Sequence, residues 1–153
     1  MTEIKIAYPD NNTARFLRGV ITNYIYILNS NVDHCTENEV RTVLSEMISN
    51  VLVHAYPENE SYKPITITID HREEDSKLVL VMTVEDEGVG MDNVKKCMEP
   101  MYTTVKDESR AGLGFTIMET MSDKLIVTSN PNSGTKVLVE KYLVIDPDAE
   151  PDM

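Results

Sequence analysis

TENEVRTVLSEMISNVLVHAY, residues 36–56, decides how the rest of the chain is read. Val40, Val43, Leu44, Met47, Ile48, Val51 and Leu52 fall at i, i+3, i+4, i+7, i+8, i+11 and i+12. That is the apolar stripe of a 3.6-residue period, and it predicts a core-facing helix. Thr36 can cap its start with Glu39 reaching back as a capping box, and Pro57 stops it after Tyr56. At about 100° per residue, Glu46, Asn50 and His54 form a row beside the stripe rather than opposite it, where a helix borders a cleft. An asparagine inside a helix competes for backbone groups and calls for a reason. A solvated amide or a local bond is one. The other is a hard-cation ligand beside phosphate oxygens, with the carboxylate one turn earlier taking a proton from a nucleophile.

The 153 residues suffice for one domain with a real core. Cys35 and Cys97 match neither a metal spacing nor a disulfide framework, so a reducing cytoplasm is expected. No apolar run approaches a membrane span, and MTEIKIAYPD has no signal-peptide pattern. With 26 acidic against 14 basic residues, the net charge of −12 opposes contact with a nucleic-acid backbone.

Before the central helix, residues 2–8 alternate as a short strand. PDNN (9–12) is a turn leading to a helix over about 12–29, with Phe16, Leu17, Val20, Ile21, Tyr24, Ile25 and Leu28 on its apolar side. Arg15 and Arg18 stand on its polar side, for solvent or for a partner. Residues 29–35 are expected to form a loop with His34 at the surface.

After it, PITITID (64–70) and LVLVMTVEDEG (78–88) read as antiparallel strands around the charged turn HREEDSK. The second strand ends in Asp86-Glu87-Gly88-Val89-Gly90. This D-x-G-x-G is either a plain turn or a base-binding corner, in which Asp86 accepts from an exocyclic amine such as adenine's while Gly88 and Gly90 let backbone pass a flat ring. Residues 91–110 predict a short helix and a lid interrupted by Pro100. RAGLGFTIM (110–118) then runs a glycine pair into a helix, whose free N–H groups suit phosphate. LIVTSN (125–130) and TKVLVEKYLV (135–144) close the chain as a hairpin. Thr135 is either a strand residue or a hydroxyl aimed at phosphate, and 146–153 is an acidic tail.

In this order, ExxxN at Glu46 to Asn50, DEGVG at 86–90 and GLG at 112–114 resemble the three boxes of the GHKL, or Bergerat-fold, ATPase superfamily. The stretches VLSEMISNVLVHAY, VEDEGVGM, EPMYTT and GLGFTIMETMSDKLIV are similar to those of its anti-sigma factor serine kinases. The resemblance covers about 1–145, one ATP-binding unit before the tail. It implies an α+β two-layer sandwich, a mixed, mostly antiparallel sheet covered on one face by helices.

It also implies a cytoplasmic homodimer that uses ATP and magnesium. In the ATP state such a protein inhibits a sporulation sigma factor, and it phosphorylates an anti-anti-sigma factor on serine. By position, Glu46 is the general base and Asn50 the magnesium ligand. Asp86 reads adenine between Gly88 and Gly90, while Thr103, Thr104, Arg110, Gly112, Gly114 and Thr135 border the nucleotide. Arg18 falls near a partner-contact arginine. The lid departs from the family pattern at Val105 before Lys106, and Ala55 replaces a common glycine. A general-stress anti-sigma kinase shares all three boxes, and a module that holds ATP without transferring it is the non-enzymatic alternative. A two-component histidine kinase module is disfavoured by the roughly 35 residues ahead of the central helix, too few for a phosphoacceptor hairpin.

Overall fold

The computed structural model describes residues 1–91, 94, 98–99 and 113–148. Its elements run β1 (Thr2–Ile6), α1 (Thr13–Leu28), α2 (His34–Asn50), a π turn (Val51–Ala55), β2 (Ile65–Glu74), β3 (Lys77–Asp86), α3 (Gly114–Met121), β4 (Lys124–Ser129) and β5 (Thr135–Leu143). The five described strands form one sheet in the order β1-β2-β3-β5-β4, and every pairing is antiparallel. The expected α+β sandwich is the fold found, with the sheet wholly antiparallel among the described residues.

Alternation sets which face of the sheet meets the helices. Ile65, Ile67 and Ile69 of β2, Leu80, Met82 and Val84 of β3, and Val137, Val139 and Leu143 of β5 join one core cluster. From the helices the same cluster takes Leu17, Ile21 and Ile25 of α1, Val40, Val43, Leu44, Met47 and Ile48 of α2, and Phe115 and Met118 of α3. The helix α2 lies between α1 and α3 and also touches β3 and β5, so it is the centre of the helical layer.

Three local expectations change. The central helix begins at His34, not Thr36, and its cap is Asp33, whose carboxylate accepts from the Cys35 N–H at 2.6 Å. The loop before it is strapped to the chain's end by Asp33 N–H to the Val144 carbonyl and by a bridge between Val32 and Ile145, which presents Asp33 first. Thr36 is therefore buried in the first turn, and Glu39 takes Lys141 Nζ at 3.1 Å. His34 is exposed, as expected. In α1, Leu17, Ile21 and Ile25 are buried and Val20, Tyr24 and Leu28 pack partly buried against the same core, but Phe16 is 59% exposed. Finally, the β2–β3 turn is only Asp75-Ser76, with φ of 52° and 64°, the left-handed pair of a two-residue hairpin. Residues 71–74 are exposed strand, with His71 Nδ1 2.8 Å from Tyr24 Oη of α1.

Candidate functional site

Strand pairing places Asp86 at the end of the sheet's central strand, opposite Ile65 of β2, with Glu85 opposite Lys136 of β5. Asp86 is 5% exposed. Oδ1 accepts from Gly88 N–H at 2.9 Å and Thr135 N–H at 3.2 Å. Among the described residues, both hydrogen bonds to Asp86 go to Oδ1, which leaves Oδ2 as the acceptor for an outside donor. Burial pushes the Asp86 carboxyl above its ordinary value, the two backbone donors pull it back, and the neighbouring Glu85 adds to the rise. A buried acceptor of this kind fits the N–H edge of an amine or amidine. Among the described residues, no three His, Cys, Asp or Glu side chains stand close enough to hold a metal by themselves.

The turn after Asp86 is held from two sides. Three successive N–H groups are engaged: Glu87 donates to Tyr56 Oη at 2.8 Å, Gly88 to Asp86 Oδ1, and Val89 to the Ala55 carbonyl at 2.8 Å. Its carbonyls face the β4–β5 turn, where Gly88 accepts from Gly134 N–H at 3.0 Å and Val89 from Asn132 N–H. A Cβ on Gly88 would lie 2.0 Å from the Ala55 carbonyl oxygen, so only glycine lets the helix end dock here. Gly90, at φ +72°, passes equally close to Asn130.

Glu46 and Asn50 stand one turn apart on the last two turns of α2, both half-buried. At Val51 the helix loosens to π geometry, so His54 follows Asn50 on a wider turn than the α-helical row assumed. The same loosening directs the Ala55 carbonyl to Val89. His54 is half-buried in the π turn.

Thr135 opens β5, buried. Its N–H serves Asp86 while its hydroxyl pairs with Ser129 Oγ at 2.8 Å, and Ser129 Oγ also accepts from Met91 N–H at 2.8 Å. Thr135 is thus a strand residue whose backbone N–H holds Asp86 and whose hydroxyl is engaged with Ser129. Gly114 is the first residue of α3. Arg18 lies against α2, its Nη1 donating to Ser45 Oγ at 2.9 Å, next in sequence to Glu46. Thr103, Thr104, Val105, Lys106, Arg110, Gly112, Cys97 and most of the expected lid fall outside the described residues, as does the tail from 149.

Sequence reasoning missed Tyr56, Ser129, Gly134 and the Ala55 carbonyl. Gly134, at φ +78° with its Cβ position 2.1 Å from the Asp86 carbonyl oxygen, was visible only as the glycine of a P-x-x-G turn. Backbone groups and a tyrosine hydroxyl leave no trace in an apolar pattern. Among the described residues, no helix is long and apolar enough to cross a membrane.

Comparison with known proteins matches residues 10–141 to the histidine kinase-like ATPase domain family. The anti-sigma F factor of Bacillus subtilis (strain 168) is 34% identical over 129 residues, 84% of this chain and 83% of that protein. The anti-sigma F factor of Clostridium kluyveri is 35% identical over 126 residues, 82% of this chain and 83% of that protein. Among solved structures, the RsbU and RsbW domains of a Mycobacterium tuberculosis protein superpose with a TM-score of 0.58 at 13% identity, over 99% of this chain and 33% of that one. The mycobacterial sensor histidine kinase MprB gives 0.51 at 10% identity, over 95% of this chain and all of that one. The two structures share the fold, and the curated relatives align across more than four fifths of both sequences, so the chain belongs to the histidine kinase-like ATPase family and, within it, to the anti-sigma F factor family.

Proposed function

We propose that the chain is an anti-sigma factor and an ATP-dependent protein serine kinase. With ATP bound it inhibits a sporulation sigma factor of the sigma F type, and it phosphorylates an anti-anti-sigma factor on serine. The relatives' name supports the sigma-factor partner. One observation carries the reading of the site. The helix bearing Glu46 and Asn50 runs directly into the residues, Ala55 and Tyr56, that hold the Asp86 turn, which supports reading the three side chains as one site, a proton acceptor, a cation ligand and a base-reading carboxylate.

The residues divide the work accordingly. Asp86 accepts from the adenine amine, with Gly88 and Gly90 keeping backbone clear of the ring. Gly114 at the start of α3, Gly112 before it, Thr103, Thr104 and Arg110 serve the phosphates, and Thr135 steadies Asp86 through its N–H. Asn50 would hold magnesium with the triphosphate, in keeping with that ion's habit of taking few protein ligands, and the ion supplies charge neutralisation. Glu46 takes the proton of the substrate serine as its oxygen bonds to the γ-phosphorus. The bond to the β–γ bridging oxygen breaks, and ADP leaves. The unit 1–145 acts as a homodimer in the cytoplasm, with Arg18 at the partner surface.

The test is transfer of labelled γ-phosphate from ATP to the serine of a purified anti-anti-sigma protein. Glu46→Gln should slow transfer by roughly 10²- to 10⁴-fold while ATP still binds. An unchanged rate removes Glu46 as the base. No transfer by the unaltered protein, with ATP bound, leaves a module that holds nucleotide without using it.

A further inference from the structure

We propose that Tyr56 is a positioning residue for base recognition, acting through the Asp86 turn. This rests on the reading of Asp86 as the group that meets adenine. Tyr56 follows the π turn in extended conformation, φ −129° and ψ 152°, as suits the residue before Pro57. Its half-buried ring packs against the core cluster. Its hydroxyl donates to the Pro64 carbonyl at 2.7 Å, and because a phenol has one proton it can meet Glu87 N–H, 2.8 Å away, only as acceptor. The hydroxyl is therefore spoken for on both sides. It spans from the residue that leads into β2 to the peptide between Asp86 and Glu87.

That peptide sets where the carboxylate points. Asp86 bonds to the N–H two residues ahead of it, a closed local ring whose tilt relative to the sheet depends on what holds the intervening N–H. With Tyr56 Oη in place, the N–H groups of 87, 88 and 89 are all fixed, and Oδ2 has one direction. Without it, Glu87 N–H turns to solvent, which is close at hand because Glu87 is exposed. The fold survives that change, and the direction of the acceptor does not. The elevated pKa of the phenol, raised chiefly by burial, keeps it neutral across the physiological range, so this bond does not titrate there.

The experiment compares ATP with the triphosphate of unsubstituted purine riboside, which lacks the exocyclic amine. Both are titrated by calorimetry against the unaltered protein and Tyr56→Phe, with thermal melting as the check on folding. The unaltered protein should favour ATP by roughly 10- to 100-fold, the worth of a hydrogen bond to a charged group. In Tyr56→Phe that preference should shrink by roughly 3- to 10-fold, through weaker ATP binding, while the purine analogue binds as before. A structural role alone would weaken both ligands equally. If both fall by the same factor, or neither moves, while the unaltered protein still discriminates, Tyr56 does not position Asp86 and the base-reading role stands. If the unaltered protein does not discriminate, the reading of Asp86 falls and this proposal with it. Should Tyr56→Phe fail to fold, 3-fluorotyrosine at the same position keeps the ring and hydroxyl but weakens the acceptor. It should shift the preference in the same direction by a smaller factor, and no shift overturns the proposal.

Discussion

Replacing Asp86 with asparagine tests the site at its most determined point, because the structure dictates how the new side chain must sit. Gly88 N–H and Thr135 N–H, at 2.9 and 3.2 Å from Oδ1, can be met only by the amide oxygen. The amide NH₂ is then forced into the place of Oδ2, and an acceptor becomes a donor. An adenine amine loses a hydrogen bond to a charged group, about 1.5–3 kcal/mol, and confronts donor with donor, about 1–3 kcal/mol more. ATP affinity should fall by roughly 10²- to 10⁴-fold. Inosine triphosphate, which carries a carbonyl at the same position, now meets a donor and should bind the variant more tightly than ATP. Competition calorimetry with the two triphosphates reads the reversal.

Stability separates this outcome from simple damage. The folded-state pKa of Asp86 is raised above its ordinary value of 3.8, so the folded protein binds the proton more tightly than the unfolded chain does. The associated stability is fully present below that ordinary value and is lost as pH rises through the folded-state pKa, and at pH 7 the ionised group burdens the fold. Asp86→Asn should therefore melt at or above the temperature of the unaltered protein at pH 7, with the difference shrinking below about pH 4. A variant that is stable yet keeps ATP affinity within about threefold, or loses both triphosphates equally, refutes the argument that Asp86 reads the base.

Two glycines should respond to alanine with opposite signs in urea unfolding. Gly88→Ala drives a methyl to 2.0 Å from the Ala55 carbonyl oxygen and should cost about 1–3 kcal/mol, with loss of nucleotide binding, because the helix end and the Asp86 turn cannot both stay in place. Gly19→Ala, within α1 and with nothing within 4 Å of the added carbon, should stabilise by about 0.5–1 kcal/mol and leave nucleotide affinity unchanged.

What the sequence shows and hides follows from what each signal measures. The apolar stripe from Val40 to Ile48 marks burial directly, and the core holds those residues. The Asp86 turn was legible because an acid and two glycines past a strand end are rarely just a strand. The π turn was not, since Val51 and Leu52 continue the apolar stripe whichever ring the backbone closes. The strand residues His71 to Glu74 were hidden for the opposite reason: they are exposed, where nothing rewards apolar side chains. The cap was misplaced at Thr36 because that residue is as competent as Asp33, and the choice was made by the Val144 and Ile145 strap, some 110 residues away in sequence.

The end of α2 explains why such an uncommon turn is kept. The last carbonyls of a helix need donors from outside it, and here the following chain cannot supply them, since Tyr56 is extended and Pro57 has no N–H. Val89 N–H meets one of these carbonyls. In return, two of the three N–H groups that follow Asp86 are satisfied only by Ala55 and Tyr56. Neither the helix end nor the turn is complete alone, so the half of the site that carries Glu46 and Asn50 and the half that carries Asp86 should form in one cooperative step. A ligand that orders either half stabilises the other by the same coupling free energy, which gives the proposed kinase a direct route from base recognition to the position of Glu46, its proposed base.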